Sequence, residues 1–182
     1  MKGMTAEMKH KTTLIVRGGG DLASGVIHRL YKCGYQVLVM ECAKPSAIRR
    51  RVSFGEAVYD GTSSVEGVTG RLVKDISECR KVWDEKEIPI LVDEAADAVS
   101  ELKPDALIDA ILAKKNLGTT RAMAPLTIGL GPGFTARMDV DYVVETQRGH
   151  NLARVIEKGT AAPNTGIPGM IAGYGKERVI HS

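Results

Sequence analysis

The chain has 182 residues, a net charge of +3, and 43% hydrophobic but only 4% aromatic residues. This length supports one compact domain with a modest appendage, and the composition builds its core from Val, Ile, Leu and Ala. The basic clusters Arg49, Arg50, Arg51 and Lys114, Lys115 have no interleaved aromatics to stack on bases, which argues against nucleic acid as a partner. Cys33, Cys42 and Cys79 lack metal-ligand spacing, no apolar run approaches the ~20 residues of a membrane span, and the polar start has no apolar stretch. A cytoplasmic protein with reduced thiols and no membrane association is expected.

Residues 1–10 read as a disordered lead. A β-branched apolar run over 12–17 predicts a strand, ended by Gly18, Gly19 and Gly20. Apolar residues then recur at helical spacing from Asp21 until Gly34. Gly18, Gly20 and Ala23 fit the G-x-G-x-x-G/A dinucleotide fingerprint, in which the first glycine makes the turn, the second admits a pyrophosphate and the small third residue lets helix and strand pack closely. The amides of Gly19, Gly20, Asp21 and Leu22 at the helix start favour an anion. A second strand over 36–40 ends at Glu41, about 20 residues beyond the turn, where a ribose-binding carboxylate belongs. The same residues also read as a bare turn, with Asp21 as a helix N-cap.

Residues 46–51 carry three arginines on a solvated turn, one of which can reach a phosphate. Ser53 and Glu56 form a capping box for a short helix closed by Gly61. The stretches 63–68 and 69–73 alternate as a small hairpin insertion, 76–85 reads as helix, 88–92 as a buried strand and 94–102 as helix. A strand over 106–111 places Asp109 near its carboxyl end, where it needs Lys114, Lys115 or a ligand as partner, or caps a turn. Asn116 lies in the loop beyond. A strand over 126–130 leads to Gly131 and Gly133, which form either an anion nest or a plain turn. From residue 139 the texture shifts to strands at 141–146 and 152–157, joined through Arg148, Gly149 and His150, and then to turn chemistry at Gly159, Gly166, Pro168 and Gly169. The expected architecture is therefore an α/β, Rossmann-like doubly wound parallel sheet over 11–138 with a small β-rich appendage over 139–182.

In such sheets ligands bind beyond the carboxyl ends of the strands. The binding candidates there are Gly18, Gly19, Gly20, Asp21, Leu22, Ala23, Glu41, Asn116, Gly131 and Gly133, and the candidates for catalysis are Asp109, Lys114, Arg148 and His150. No zinc motif, Walker loop, carboxylate dyad or Ser-His-Asp set is legible, and His28 reads as a packing or surface residue of the first helix.

Five segments carry a further signal: GGGDLASG from Gly18, RRVSFGEAV from Arg50, DAILAKKNLG from Asp109, GLGPGF from Gly129 and ETQRGH from Glu145. Together they resemble the YqeB-type accessory proteins of selenium-dependent molybdenum hydroxylases, over about residues 14–179. The glycine-turn half is also similar to XdhC-type insertion factors and, more remotely, to siroheme-synthase dehydrogenase domains. The resemblance implies a factor that matures or supplies cofactor to a molybdenum hydroxylase, with that enzyme or another maturation factor as partner and a small anionic ligand, NAD(P) or a molybdenum-pterin cofactor, at the glycine turn. A homo-oligomer is left open. Such proteins continue well past this carboxyl end, so the chain is expected to be a truncated form, and Gln147 and Ala153 depart from the family pattern while Arg148 and His150 keep it. The alternative is a small NAD(P)-linked oxidoreductase.

Overall fold

The computed structural model describes residues 12–163 and Gly173; the expected lead over 1–10 and the turns at Gly166, Pro168 and Gly169 lie outside these. Its first strand, β1 (Thr13–Arg17), is buried at every position, as a strand covered on both faces must be. The helix α1 (Asp21–Lys32) returns the chain to β2 (Gln36–Glu41), which lies parallel to β1 with Arg17 beside Met40. Short helical turns Arg50–Val52 and Phe54–Glu56 lead into α2 (Ala57–Asp60). There follow β3 (Thr62–Val65), β4 (Val68–Val73), α3 (Cys79–Asp84), β5 (Ile88–Val92), α4 (Ala98–Leu102) and β6 (Ala106–Asp109). The last elements are β7 (Leu126–Leu130), β8 (Thr135–Ala136), β9 (Tyr142–Val144), β10 (Val155–Ile156) and β11 (Gly159–Thr160).

Among the described residues a mixed sheet of nine strands runs in the order β10-β9-β7-β6-β1-β2-β5-β4-β3. From β9 to β4 all neighbours are parallel, and only the outer pairs β9–β10 and β3–β4 are antiparallel. The chain fills one side of β1 with β2, β4 and β5, then crosses to the other side for β6, β7 and β9. Its direction of travel thus reverses between β1 and β6. Helical segments cover both faces: α1 and α2 with Phe54 pack on Val16, Val39 and Ile90, whereas α3 and α4 pack on Ile15, Leu38 and Leu107.

Several local expectations are corrected. Ser53 does not cap a helix, because its hydroxyl donates to the Gly19 carbonyl at 2.7 Å, and Glu56 accepts from the Arg50 guanidinium at 2.8 Å. The hairpin β3–β4 is no insertion: β4 pairs in parallel with β5, and a Cβ at Gly70 would lie 2.9 Å from the ring of fully buried Phe54. The helix expected over 94–102 shrinks to α4, since Ala96 adopts φ +63 and the Asp93 carboxylate accepts from the amides of Asp97 and Ala98. The helix N-cap is Gly20, not Asp21. The segment from residue 139 brings β9 and β10 into the main sheet beside β7, while β8 and β11 form a separate two-stranded sheet.

The junction between β7 and β9 rests on Asp141. Its carboxylate accepts from the Thr127 amide and hydroxyl, both at 2.9 Å, and from Arg121 Nε at 2.8 Å. Burial pushes this carboxyl up, but the Thr127 amide, the Arg121 guanidinium and the Thr127 hydroxyl outweigh it and hold the group below the ordinary aspartate value. A depressed folded-state value contributes stability above the unfolded-state value of about 3.9, and that contribution is lost as pH falls through the lower folded value. Thermal melts should therefore show Asp141→Ala destabilised by about 2 kcal/mol or more at neutral pH. Below about pH 4, the melting temperature of the parent chain should fall more steeply than that of Asp141→Asn.

Candidate functional site

The loops that follow β1, β2, β5, β6, β7 and β9 all leave the sheet on one edge, because those strands are parallel. Gly18 turns there with φ +92, and a Cβ on it would lie 3.0 Å from the Ala110 carbonyl and the Ile111 backbone. The turn therefore needs glycine at this position for both conformation and space. Gly19 has a different reason. Its carbonyl accepts from the Gly55 amide at 2.8 Å and the Ser53 and Ser24 hydroxyls at 2.7 and 3.1 Å, and a Cβ would lie 2.8 Å from the Gly55 nitrogen. Gly20 begins α1 with φ −64, and a Cβ on it would meet nothing within 4 Å, so open space lies against it.

Glu41 closes this corner. Its Oε2 accepts from the Gly19 amide at 2.6 Å and its Oε1 from the Cys42 amide at 2.8 Å. The carboxylate thereby sits at the Gly19 amide, where the fingerprint alone would seat a phosphate. Two clefts meet at Glu41. One, of about 390 Å³, runs past Gly20, Leu22, Ile48 and Ile111. The other, of about 360 Å³, descends past Cys42 and Glu94 to Arg17. The first has apolar walls that are open to solvent: Leu22 is 58% exposed and Ile48 95%. At its mouth Asp21 pairs with Arg49 at 2.6 Å, which neutralises the acid beside the helix start.

Arg17 was not singled out by sequence reasoning and is the organising side chain of this edge. It is buried beside Asp109, its direct neighbour in the β1–β6 register, with Nη1 at 3.6 Å from Asp109 Oδ2. Thr119 bridges them, accepting from Arg17 at 2.6 Å and donating to Asp109 at 2.6 Å. Arg17 also donates to the Glu94 carbonyl at 3.1 Å and to the Leu117 carbonyl at 3.4 Å. The partner of Asp109 is thus Arg17 rather than Lys114 or Lys115, both of which are exposed. A sequence signal existed: an arginine ending a wholly apolar strand requires an acid close by.

The remaining candidates fall on the same edge with different parts to play. Asn116 holds its own loop, its carbonyl accepting from the Gly118 and Thr119 amides and its amide donating to the Thr119 carbonyl. Leu112 and Lys114 are left-handed, at φ +60 and +63, in the segment that walls the first cleft. Gly133 lies close against the Lys115 backbone, and Gly131, whose amide donates to the Val144 carbonyl at 2.9 Å, lies close to Thr146 and Leu112. Thr146, just before the loop of Arg148 and His150, is one of these neighbours of Gly131; both side chains of that loop are exposed, and neither lines the two clefts. Glu145 is buried at its root, accepting from the Gln147 and Ala162 amides. Burial, with Glu41 and Glu94 nearby, pushes the Cys42 thiol up, and burial takes Cys79 up to about 12, so neither is a ready thiolate.

The two glycines make opposite demands on a methyl group. Gly19→Ala should lower stability by about 1–3 kcal/mol through its clash with Gly55, whereas Gly20→Ala should change it by less than about 0.5 kcal/mol. Denaturant titration of the two variants checks this contrast.

The chain is 51% identical over 169 residues to the uncharacterized protein YqeB of Escherichia coli (strain K12), an alignment that covers 93% of this chain and 31% of that protein. It therefore spans about a third of the length of the curated relative it matches. No family model matches the chain, and no solved structure does. Among the described residues no helix is long and apolar enough to cross a membrane. The likeness to YqeB extends over both the glycine turn and the loop of Arg148 and His150.

Proposed function

We propose that the chain is an accessory factor in the maturation of a selenium-dependent molybdenum hydroxylase, and that it holds a nucleotide or another anionic cofactor at its glycine turn. In this reading the scaffold is Rossmann-like and doubly wound over 11–138, with 139–182 as its addition. The protein acts in the cytoplasm, with the hydroxylase or a second maturation factor as partner. The observation that carries the reading is the cleft at the reversal between β1 and β6. There an open glycine, the start of α1 and a fixed carboxylate face one space of about 390 Å³. Ligands of open α/β sheets bind at such a reversal.

Holding a ligand fits the site better than turning one over. An NAD(P)-linked oxidoreductase needs a proton-handling group beside the reacting ring. Of the candidates, Asp109 is buried with both oxygens engaged, and neither Lys114 nor His150 lines the cleft. Arg148 and His150, on the same edge, are then suited to contact the ligand's far end or the partner that receives it.

Hydroxylase activity in cells that depend on this protein tests the reading. Gly20→Val should fill the open space and abolish maturation, with Arg148→Ala and His150→Ala each lowering it, while all three proteins melt close to the parent. Normal maturation with Gly20→Val would leave the cleft without a role.

A further inference from the structure

We infer that the free edge of β3 is a docking surface for a second copy of this chain, which pairs its own β3 there in antiparallel register. A turn through Glu66 and Gly67, with φ +48 and +76, closes β3 onto β4. Bonded and unbonded pairs alternate along such an antiparallel ladder. The Leu72 amide donates to the Gly61 carbonyl at 2.8 Å, which makes Gly61 and Leu72 a bonded pair. By alternation Ser63 bonds to Gly70 and Val65 to Val68, whereas Thr62 and Ser64 turn their main-chain groups away from β4. β3 ends the sheet, so those groups face outward. Edges are ordinarily blunted by charge, proline or brevity. β10, at the other end, has only two residues, set between Arg154 and Glu157. β3 reads Thr-Ser-Ser-Val and carries neither charge nor proline.

The flank of this edge selects the occupant. A cleft of about 570 Å³ runs beside β3, lined by Thr62, Ser63 and Ser64 and by Arg51 and Asp60. Arg50, in the same lining, is committed to Glu56. That leaves Arg51 and Asp60, both exposed and of opposite sign, and among the described residues neither makes an ion pair. A strongly acidic or basic segment would satisfy one of these charges and repel the other. A second copy brings the same two charges in reverse order, because a two-fold axis makes one patch its own complement. The pairing in which Thr62 of each copy exchanges N–H···O=C bonds with Ser64 of the other places Ser63 on that axis. It joins the two sheets into one and offers each Arg51 the other copy's Asp60. This surface shares no lining residue with the glycine-turn cleft, so the inference stands independently of what that cleft binds.

Sedimentation equilibrium and amide hydrogen exchange on the full chain test the inference. At about 100 μM, a concentration suited to a small interface, the 19.6 kDa parent should sediment with twice its own mass. Ser64→Pro removes an N–H that serves only the outer edge, a place where strands tolerate proline. It should sediment as a monomer that melts close to the parent. Arg51→Glu should weaken the dimer several-fold, and Asp60→Arg added to it should restore the association. In the parent, the Thr62 and Ser64 amides should exchange slowly at this concentration and faster on dilution, a readout that holds even where the proline variant does not fold. A monomeric parent, a dimeric Ser64→Pro, a charge-swapped chain no stronger than Arg51→Glu, or Thr62 and Ser64 amides that exchange fast at every concentration overturns the inference.

Discussion

The edge that carries the clefts depends on one buried ion pair. Arg17 and Asp109 sit side by side at the carboxyl ends of β1 and β6, 4% and 1% exposed. Removing either charge alone would strand the other, a loss of about 3–5 kcal/mol. The pair endures because its surroundings complete it: Thr119 donates to the acid and accepts from the guanidinium, and two main-chain carbonyls accept from its Nη groups. Those carbonyls belong to Glu94, after β5, and Leu117, after β6. A single guanidinium thus gathers loops from both sides of the point where the chain reverses direction.

The glycine turn is built on that platform and locked from above. Gly18 follows Arg17 directly and turns where only a residue without a Cβ fits against Ala110 and Ile111. Gly19 is pinned by Gly55, Ser53 and Ser24 on one side and Glu41 on the other. Of the three, only Gly20 opens on free space. The arrangement assigns different work to three identical residues: the first shapes the chain, the second joins two loops, and the third leaves room. In the facing segment Leu112 and Lys114 hold left-handed backbone that costs of order 1 kcal/mol each.

Much of the sheet was legible because buried parallel strands must be apolar along their whole length. β1, β2, β5, β6 and β7 stand out as such runs, and the reading of β1, α1, β2 and Glu41 as a unit needed only the spacing of glycines and the strand end. Side-chain partners over long separations were not legible. Ser53 and Glu56 match a capping box letter by letter, yet the serine bonds to Gly19 across the fold and the glutamate to Arg50. Asp109 was recognisable as an acid in need of a partner, but Arg17 lies 92 positions away and is brought beside it only by the β1–β6 pairing. The hairpin of β3 and β4 reads locally as an insertion because nothing within it announces that β4 pairs with β5. Gly131 and Gly133 read equally as an anion nest or a plain turn, and nothing local in them announces their close approach to Thr146 and the Lys115 backbone.

We propose that the open space beside Gly20, lined by Glu41, holds a nucleotide. Amide chemical-shift mapping of the full chain with NAD addresses it most directly, because each backbone N–H reports its own neighbourhood. The account predicts shifts concentrated at Gly20, Asp21, Leu22, Cys42 and Ile111, with the amides around Ser63 and Ser64 unmoved. Shifts centred on the Arg51 cleft, or none at the glycine turn at saturating NAD, would contradict it.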